Sequence, residues 1–237
     1  MNFFTHARRF LHDPYFVAGT AVPDWLGVLD RRVRARSSAA ETLLDDPDPR
    51  VVSIAQGIIQ HHFDDGWFHQ TESFYRLTGR LARKVREQFP LDSSMRAGFV
   101  GHVIVELLLD DVLIQVNPTI LDYYYDLFER IDPALVESTV TRISRYPADR
   151  LSQLIPRFVT ERFLYDYRTD ERLLWRMNHV LKRVGLEPLS VTDTTWLVEA
   201  RELVAMNVNG LLEGEEAELA AVVLRRSTSR SVHQGDS

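Results

Sequence analysis

Between residues 96 and 116 the chain runs RAGFVGHVIVELLLDDVLIQV, apolar on nearly every face of a helix yet interrupted at intervals of four by His102, Glu106 and Asp110. A helix that is apolar all round belongs in a core. A buried imidazole or carboxylate there costs on the order of several kcal/mol unless it is paired or holds a cation. The segment GIIQHHFDDGWFHQ repeats the spacing with His61, Asp65 and His69. Residues four apart on a helix form one slowly drifting row, so each set of three looks one way.

Either row alone is equally what an intrahelical His–carboxylate pair looks like. Two rows on two buried helices satisfy one another best around a cation, and imidazole nitrogen with carboxylate oxygen suits Zn, Mn or Fe. Such a site with an open position activates water. His6, which follows Phe3-Phe4, and Asp24, in the turn-like segment AGTAVPDW, are candidates to join it. The expected metal ligands or their immediate partners are therefore His6, Asp24, His61, Asp65, His69, His102 and Glu106. A carboxylate left off the metal, Asp110 or Asp64, is the expected general base. Nothing in the spacing singles out Arg9 or Arg96 for the leaving phosphate. The His12-Asp13 dipeptide precedes Pro14 in an expected loop and is not read as a metal site.

The remaining sequence reads as helices. Residues 51–63 carry a long apolar-periodic run, and 119–130, 133–144, 149–166, 170–184 and 193–212 show the three- and four-residue apolar spacing of amphipathic helices. Asn117-Pro118, Asp132-Pro133, Tyr146-Pro147 and Glu187-Pro188 punctuate them, with Asp170 and Thr192 or Asp193 as N-caps. No alternating strand pattern persists. The expected fold is an all-α, single-domain helical bundle over residues 1–224, followed by a disordered tail over 225–237. Leu43–Arg50 is expected to be a polar loop, and the arginines of Arg31–Arg36 a solvated helix face. Trp67, Phe68, Tyr123, Tyr124 and Tyr125 are assigned to core or groove lining.

Composition narrows the chemistry. The 237 residues include no cysteine, so a thiol nucleophile, a disulfide or a Cys-based zinc site is excluded. With 28 Lys+Arg against 34 Asp+Glu the net charge is −6, which argues against sequence-independent binding to nucleic acid. The opening MNFFTHARRFLHDPYF lacks a sustained apolar stretch, and the longest apolar run is too short and too charged to span a bilayer. A soluble cytoplasmic protein is expected.

Three segments together resemble a known family. Met1-Asn2-Phe3-Phe4-Thr5-His6, Gly19…Pro23-Asp24 and Gly57-Ile58-x-x-His61-x-x-x-Asp65 are similar to the MNF-x-x-H, G-x-x-x-x-D and G-I-x-x-H-R-x-I-D motifs of bacterial acyl carrier protein phosphodiesterases. Glu106-Leu107-Leu108-Leu109-Asp110-Asp111-Val112-Leu113 looks like that family's acidic D-M-L-Y-D-H-F-L helix. The resemblance ends near Leu113. It implies an all-helical protein related to HD-type phosphohydrolases, a divalent metal, and release of 4′-phosphopantetheine from acyl carrier protein. An acidic carrier of that kind would be docked by the arginines at 31–36 and 80–86. The departures are His62 for the motif arginine, Asp64 for isoleucine, His69 for an acidic residue, Glu106 for the first late aspartate and Asp111 for the late histidine. His-x-x-x-Asp followed by His-x-x-x-Glu is also similar to zinc-dependent phospholipase C and related single-strand nucleases. Those enzymes are secreted and use the amine of an N-terminal Trp, a residue this chain does not supply. A non-catalytic helical protein with a structural or degenerate metal site is the remaining alternative.

Overall fold

A computed structural model describes residues 1–89, 94–190 and 194–215. Among them every regular element is helical: α1 Phe3–Ala7, α2 Pro14–Leu29, α3 Ser37–Ala40, α4 Pro49–Phe68, α5 Glu72–Gln88, α6 Ser94–Val116, α7 Ile120–Phe128, α8 Pro133–Ile143, α9 Leu151–Glu161, α10 Asp170–Arg183, α11 Thr195–Met206 and α12 Val208–Leu211, with 3-10 turns at Glu41–Leu43 and Phe163–Arg168. The all-α expectation holds. The expected tail over 225–237 and the caps Thr192 and Asp193 lie outside the described residues.

Local chemistry accounts for the helix starts. The Asp13 carboxylate accepts from Tyr15 N and Phe16 N, both at 3.0 Å, and Pro14 occupies the first turn of α2, where its missing N–H costs nothing. Asp48-Pro49 and Asp132-Pro133 start α4 and α8 in the same way. Thr71 Oγ1 accepts from Phe74 N at 3.1 Å to start α5.

Several expectations are corrected. Asp24 lies inside α2, because the helix continues through Pro23 instead of turning there. Arg31–Arg36 is a loop in which exposed arginines alternate with buried Val33 and Ala35, and not a helix face. The helix expected over 149–166 breaks at Arg162, whose backbone is left-handed with φ 43°. Beyond it Leu164 N donates to Tyr125 Oη at 3.0 Å, which replaces a helical bond. The helix expected over 193–212 divides at Asn207 into α11 and α12. Thr169, one residue earlier than expected, holds the N-cap position of α10, with no capping hydrogen bond from its side chain.

Two close approaches position the site. At the α2–α4 crossing, a methyl at Gly57 would stand 2.2 Å from Phe16 O and 2.8 Å from Gly19 Cα, so the backbones touch where only hydrogen fits. At the α5–α6 crossing, one at Gly101 would stand 2.6 Å from Thr78 O. The aromatic core then fixes α1. Phe3 packs on Phe158 with ring centres 5.3 Å apart, and Phe4 meets Tyr124 edge-on at 5.8 Å. Trp25, Phe128 and Phe158 complete the cluster, with Trp25 5.5 Å from Phe128 and 5.4 Å from Phe158. Tyr124 and Tyr125 are buried as expected, whereas Tyr123 is exposed. Among the described residues no helix is long and apolar enough to cross a membrane.

Candidate metal centre

The expected ligands assemble as two sets of three, not as one shared ring. His6 on α1 joins His61 and Asp65 on α4, and His69, at the end of α4, joins His102 and Glu106 on α6. Within each set the ligand atoms all lie within 4.8 Å of one another.

In the inner set His6 and His61 are buried, while the Asp65 side chain is 31% exposed. His6 Nε2 lies 3.4 Å from Asp65 Oδ1, and His61 Nε2 lies 3.5 Å from Asp65 Oδ2. The two imidazoles stack with centres 4.1 Å apart. Their far nitrogens are occupied. His61 Nδ1 donates to the Thr20 carbonyl at 2.8 Å, and His6 Nδ1 to Asp64 Oδ2 at 3.2 Å. A donor on Nδ1 leaves the Nε2 lone pair as the ligand, the arrangement in which a partner behind the ring sets the tautomer of a metal-binding histidine. Thr20 sits one residue beyond Gly19, whose carbonyl would face the N–H that Pro23 lacks. The interruption in α2 thus lies beside the carbonyl that receives His61.

The outer set is open to solvent. His69 Nε2 and His102 Nε2 approach the same oxygen, Glu106 Oε1, at 2.8 and 3.2 Å. Their rings are 4.8 Å apart and both rest on Phe74, each at 4.9 Å. The side chains of His69 and His102 are 33% and 39% exposed, so incoming water or substrate can reach this end. Between the sets lies the α-ammonium of Met1, 2.6 Å from Asp65 Oδ1 and 3.2 Å from Glu106 Oε1.

Electrostatics follow from burial and these contacts. Burial pushes the Asp65 and Glu106 carboxyls up, but His6 beside Asp65, His102 and His69 beside Glu106, and the α-ammonium beside both hold them well below the usual range. Burial and the repulsion of His6 keep His61 neutral, well below the ordinary imidazole value. Burial also lowers His6, but its hydrogen bond to Asp64 and the nearby Asp65 carboxylate outweigh that and lift it to about 9. Burial raises Asp24 to about 7.

The donor set fits a divalent cation. His6 Nε2 and Asp24 Oδ2 are buried without a hydrogen-bond partner among the described residues, so the single ammonium does not satisfy the centre. Two ligands about 2.1 Å from one tetrahedral ion stand about 3.4 Å apart, and the inner contacts measure 3.4 and 3.5 Å. Each set supplies three ligands, which leaves coordination positions open.

Neither residue expected as general base stands free. The Asp110 carboxylate accepts from Phe4 N at 3.0 Å, Thr5 N at 2.7 Å, Thr5 Oγ1 at 2.6 Å and Asn2 Nδ2 at 2.9 Å. It caps α1 from a distant part of the chain and so places His6. Asp64 is buried behind His6 and also accepts from Gln60 Nε2 at 2.8 Å. Asp110 is thus engaged with the start of α1, and Asp64 with His6 Nδ1 and Gln60. Asp111 turns away to Arg201 Nη1 at 2.5 Å and Gln115 Nε2 at 2.7 Å. His62 Nε2 donates to the Ala35 carbonyl at 2.6 Å, outside both sets. Sequence reasoning missed Met1, Asn2, Thr5 and the Thr20 carbonyl. Only Asn2 carries a sequence signal, as a polar residue between the apolar Met1 and Phe3.

Two expected outcomes arise here. Asp110→Asn turns an acceptor into an amide donor facing either Phe4 N and Asn2 or the Thr5 pair, and should destabilise the protein by roughly 2–4 kcal/mol in urea unfolding. In metal-free protein, His6 has a folded pKa of about 9 against 6.5 in the unfolded chain. Its contribution to stability is therefore complete below 6.5 and lost as pH rises through about 9. Melting temperature in EDTA should fall between pH 7 and 9. With a divalent cation present the trend should reverse, because the ion binds the neutral imidazole.

The chain matches no family model, no curated protein and no solved structure.

Proposed function

We propose that this chain is a metal-dependent hydrolase of phosphodiesters, with 4′-phosphopantetheine-bearing acyl carrier protein as the leading substrate. One observation carries the reading: two His-His-carboxylate sets lie side by side, the inner one with both Nε2 atoms turned inward by partners on the far nitrogens. When bound, divalent cations would lower the pKa of water and neutralise phosphoryl charge. His6, His61 and Asp65 would hold the sheltered ion. His69, His102 and Glu106 would hold the one facing solvent, where a substrate enters. Asp24, raised to about 7 by burial and lacking a partner for Oδ2, is the carboxylate best placed to accept a proton near neutral pH or to join the inner ion. The exposed Arg31, Arg34 and Arg36 offer positive charge to an acidic carrier protein. Manganese, zinc and iron all suit this donor set, and the resemblance favours manganese. A cytoplasmic location goes with the carrier-protein substrate.

The test is metal analysis of the purified chain, followed by assays on bis(p-nitrophenyl) phosphate and holo acyl carrier protein with Mn²⁺, Zn²⁺ or Fe²⁺. One or two equivalents of metal and metal-dependent turnover are expected. Bound metal with no turnover on either compound would overturn the hydrolase reading in favour of a structural metal site. Turnover confined to phosphatidylcholine or single-stranded nucleic acid would move the chain to the phospholipase–nuclease side.

A further inference from the structure

From Asn207 onward the chain does not leave the fold but runs as a strap, α12 included, from α5 across the end of α4 to α1. Asn207 Oδ1 accepts from Arg76 Nη2 at 3.0 Å. A methyl at Gly210 would meet Ser73 Oγ at 2.3 Å, and one at Gly214 would meet the Trp67 ring at 2.7 Å, so both glycines lie flat on the surfaces they cross. The strap ends its described course with Glu215 held by two consecutive arginines. One carboxylate oxygen takes Arg8 Nη2, and the other lies 3.2 Å from Arg9 Nη1.

We infer that Arg8 and Arg9 form a phosphate-binding fork beside the metal centre, occupied in this structure by the chain's own Glu215. The inference deepens the phosphodiesterase reading, and the choice of phosphate over other anions rests on it. Three observations support it. Arg8 lies two residues past His6, and its guanidinium feels the charge of Asp64, the carboxylate that orients His6. Arg8 Nε is buried without a hydrogen-bond partner among the described residues, so Glu215 leaves part of the donor set unused. A phosphate has more terminal oxygens than a carboxylate, and the planar guanidinium matches them in pairs. Glu215 stands in a helical turn at the limit of the described residues, its side chain 17% exposed, so solvent and a more highly charged anion can compete with it for the guanidinium groups.

The test uses the full chain stripped of metal with EDTA, titrated with inorganic phosphate by calorimetry and ³¹P NMR, with acetate in parallel. Glu215→Gln should bind phosphate roughly tenfold more tightly than the starting protein, with a much smaller gain for acetate. Adding Arg9→Ala to Glu215→Gln should abolish the gain at an unchanged melting temperature, and adding Arg8→Ala should do the same. No gain in Glu215→Gln, a gain that survives both arginine replacements, or an equal gain for acetate would each overturn the fork. Because binding is read without metal, the two proposals separate. Retained phosphate binding with no turnover removes the hydrolase reading alone, and turnover without the binding gain removes the fork alone.

Discussion

Replacing His61 with alanine should remove the sheltered cation and with it metal-dependent turnover, while leaving a folded protein. The imidazole supplies one of the three inner candidate ligands. Losing a direct ligand should lower metal affinity by more than the roughly 10–100-fold typical of losing an outer partner. Asp64→Asn tests that comparison. The amide keeps one acceptor but weakens the hold on His6 Nδ1, so affinity should fall by about 10–100-fold with the ligand still present. His62→Ala is the control, since that ring bonds the Ala35 carbonyl outside both sets. Plasma-emission metal analysis and a competition titration give stoichiometry and affinity together. If His61→Ala and His62→Ala hold metal equally well, the inner set is not a metal site.

The second large effect is on stability. Gly57→Ala drives a methyl to 2.2 Å from Phe16 O and 2.8 Å from both Gly19 Cα and Thr20 N. All three are backbone atoms on α2, so no side chain can swing aside. The helices must separate, at a cost of about 3 kcal/mol or more, beyond the usual range for overpacking because the obstacle is main chain. Separation also draws the Thr20 carbonyl away from His61 Nδ1, so metal affinity should fall together with stability. Gly79→Ala, on α5 with open space around it, should instead stabilise by roughly 0.5–1 kcal/mol through helix propensity. Chemical denaturation of the two variants side by side decides the point. A Gly57→Ala protein as stable as its parent would mean the crossing is looser than described.

The rows on α4 and α6 were legible because both depend on spacing within one helix, which periodicity reports directly. The His69–Glu106 contact then joins the two helices as expected. What spacing does not reveal is which way each part of a row faces. His61 and Asp65 turn toward α1, whereas His69 turns toward α6, so His61 and His102 serve separate carboxylates. The helix α5 escaped notice because its apolar residues Phe74, Leu77, Leu81 and Val85 are diluted by arginines on the exposed face. Asp24 was misplaced because Pro23 reads as a turn, although α2 carries it. The ambiguity at Asp110 has the same root. A carboxylate in an apolar helix looks alike whether it meets a metal or the backbone amides of a helix more than 100 residues away.

The Asp110 clamp sets an order on biosynthesis. Its partners Phe4 and Thr5 are separated from it by 106 and 105 residues. During translation α1 therefore has no cap, and His6 no fixed direction, until α6 has been made and has docked. The opening segment can contribute only one loose imidazole to a passing ion before that moment. If the inner set binds metal as proposed, capture by its three ligands would therefore report a chain whose first half is already folded.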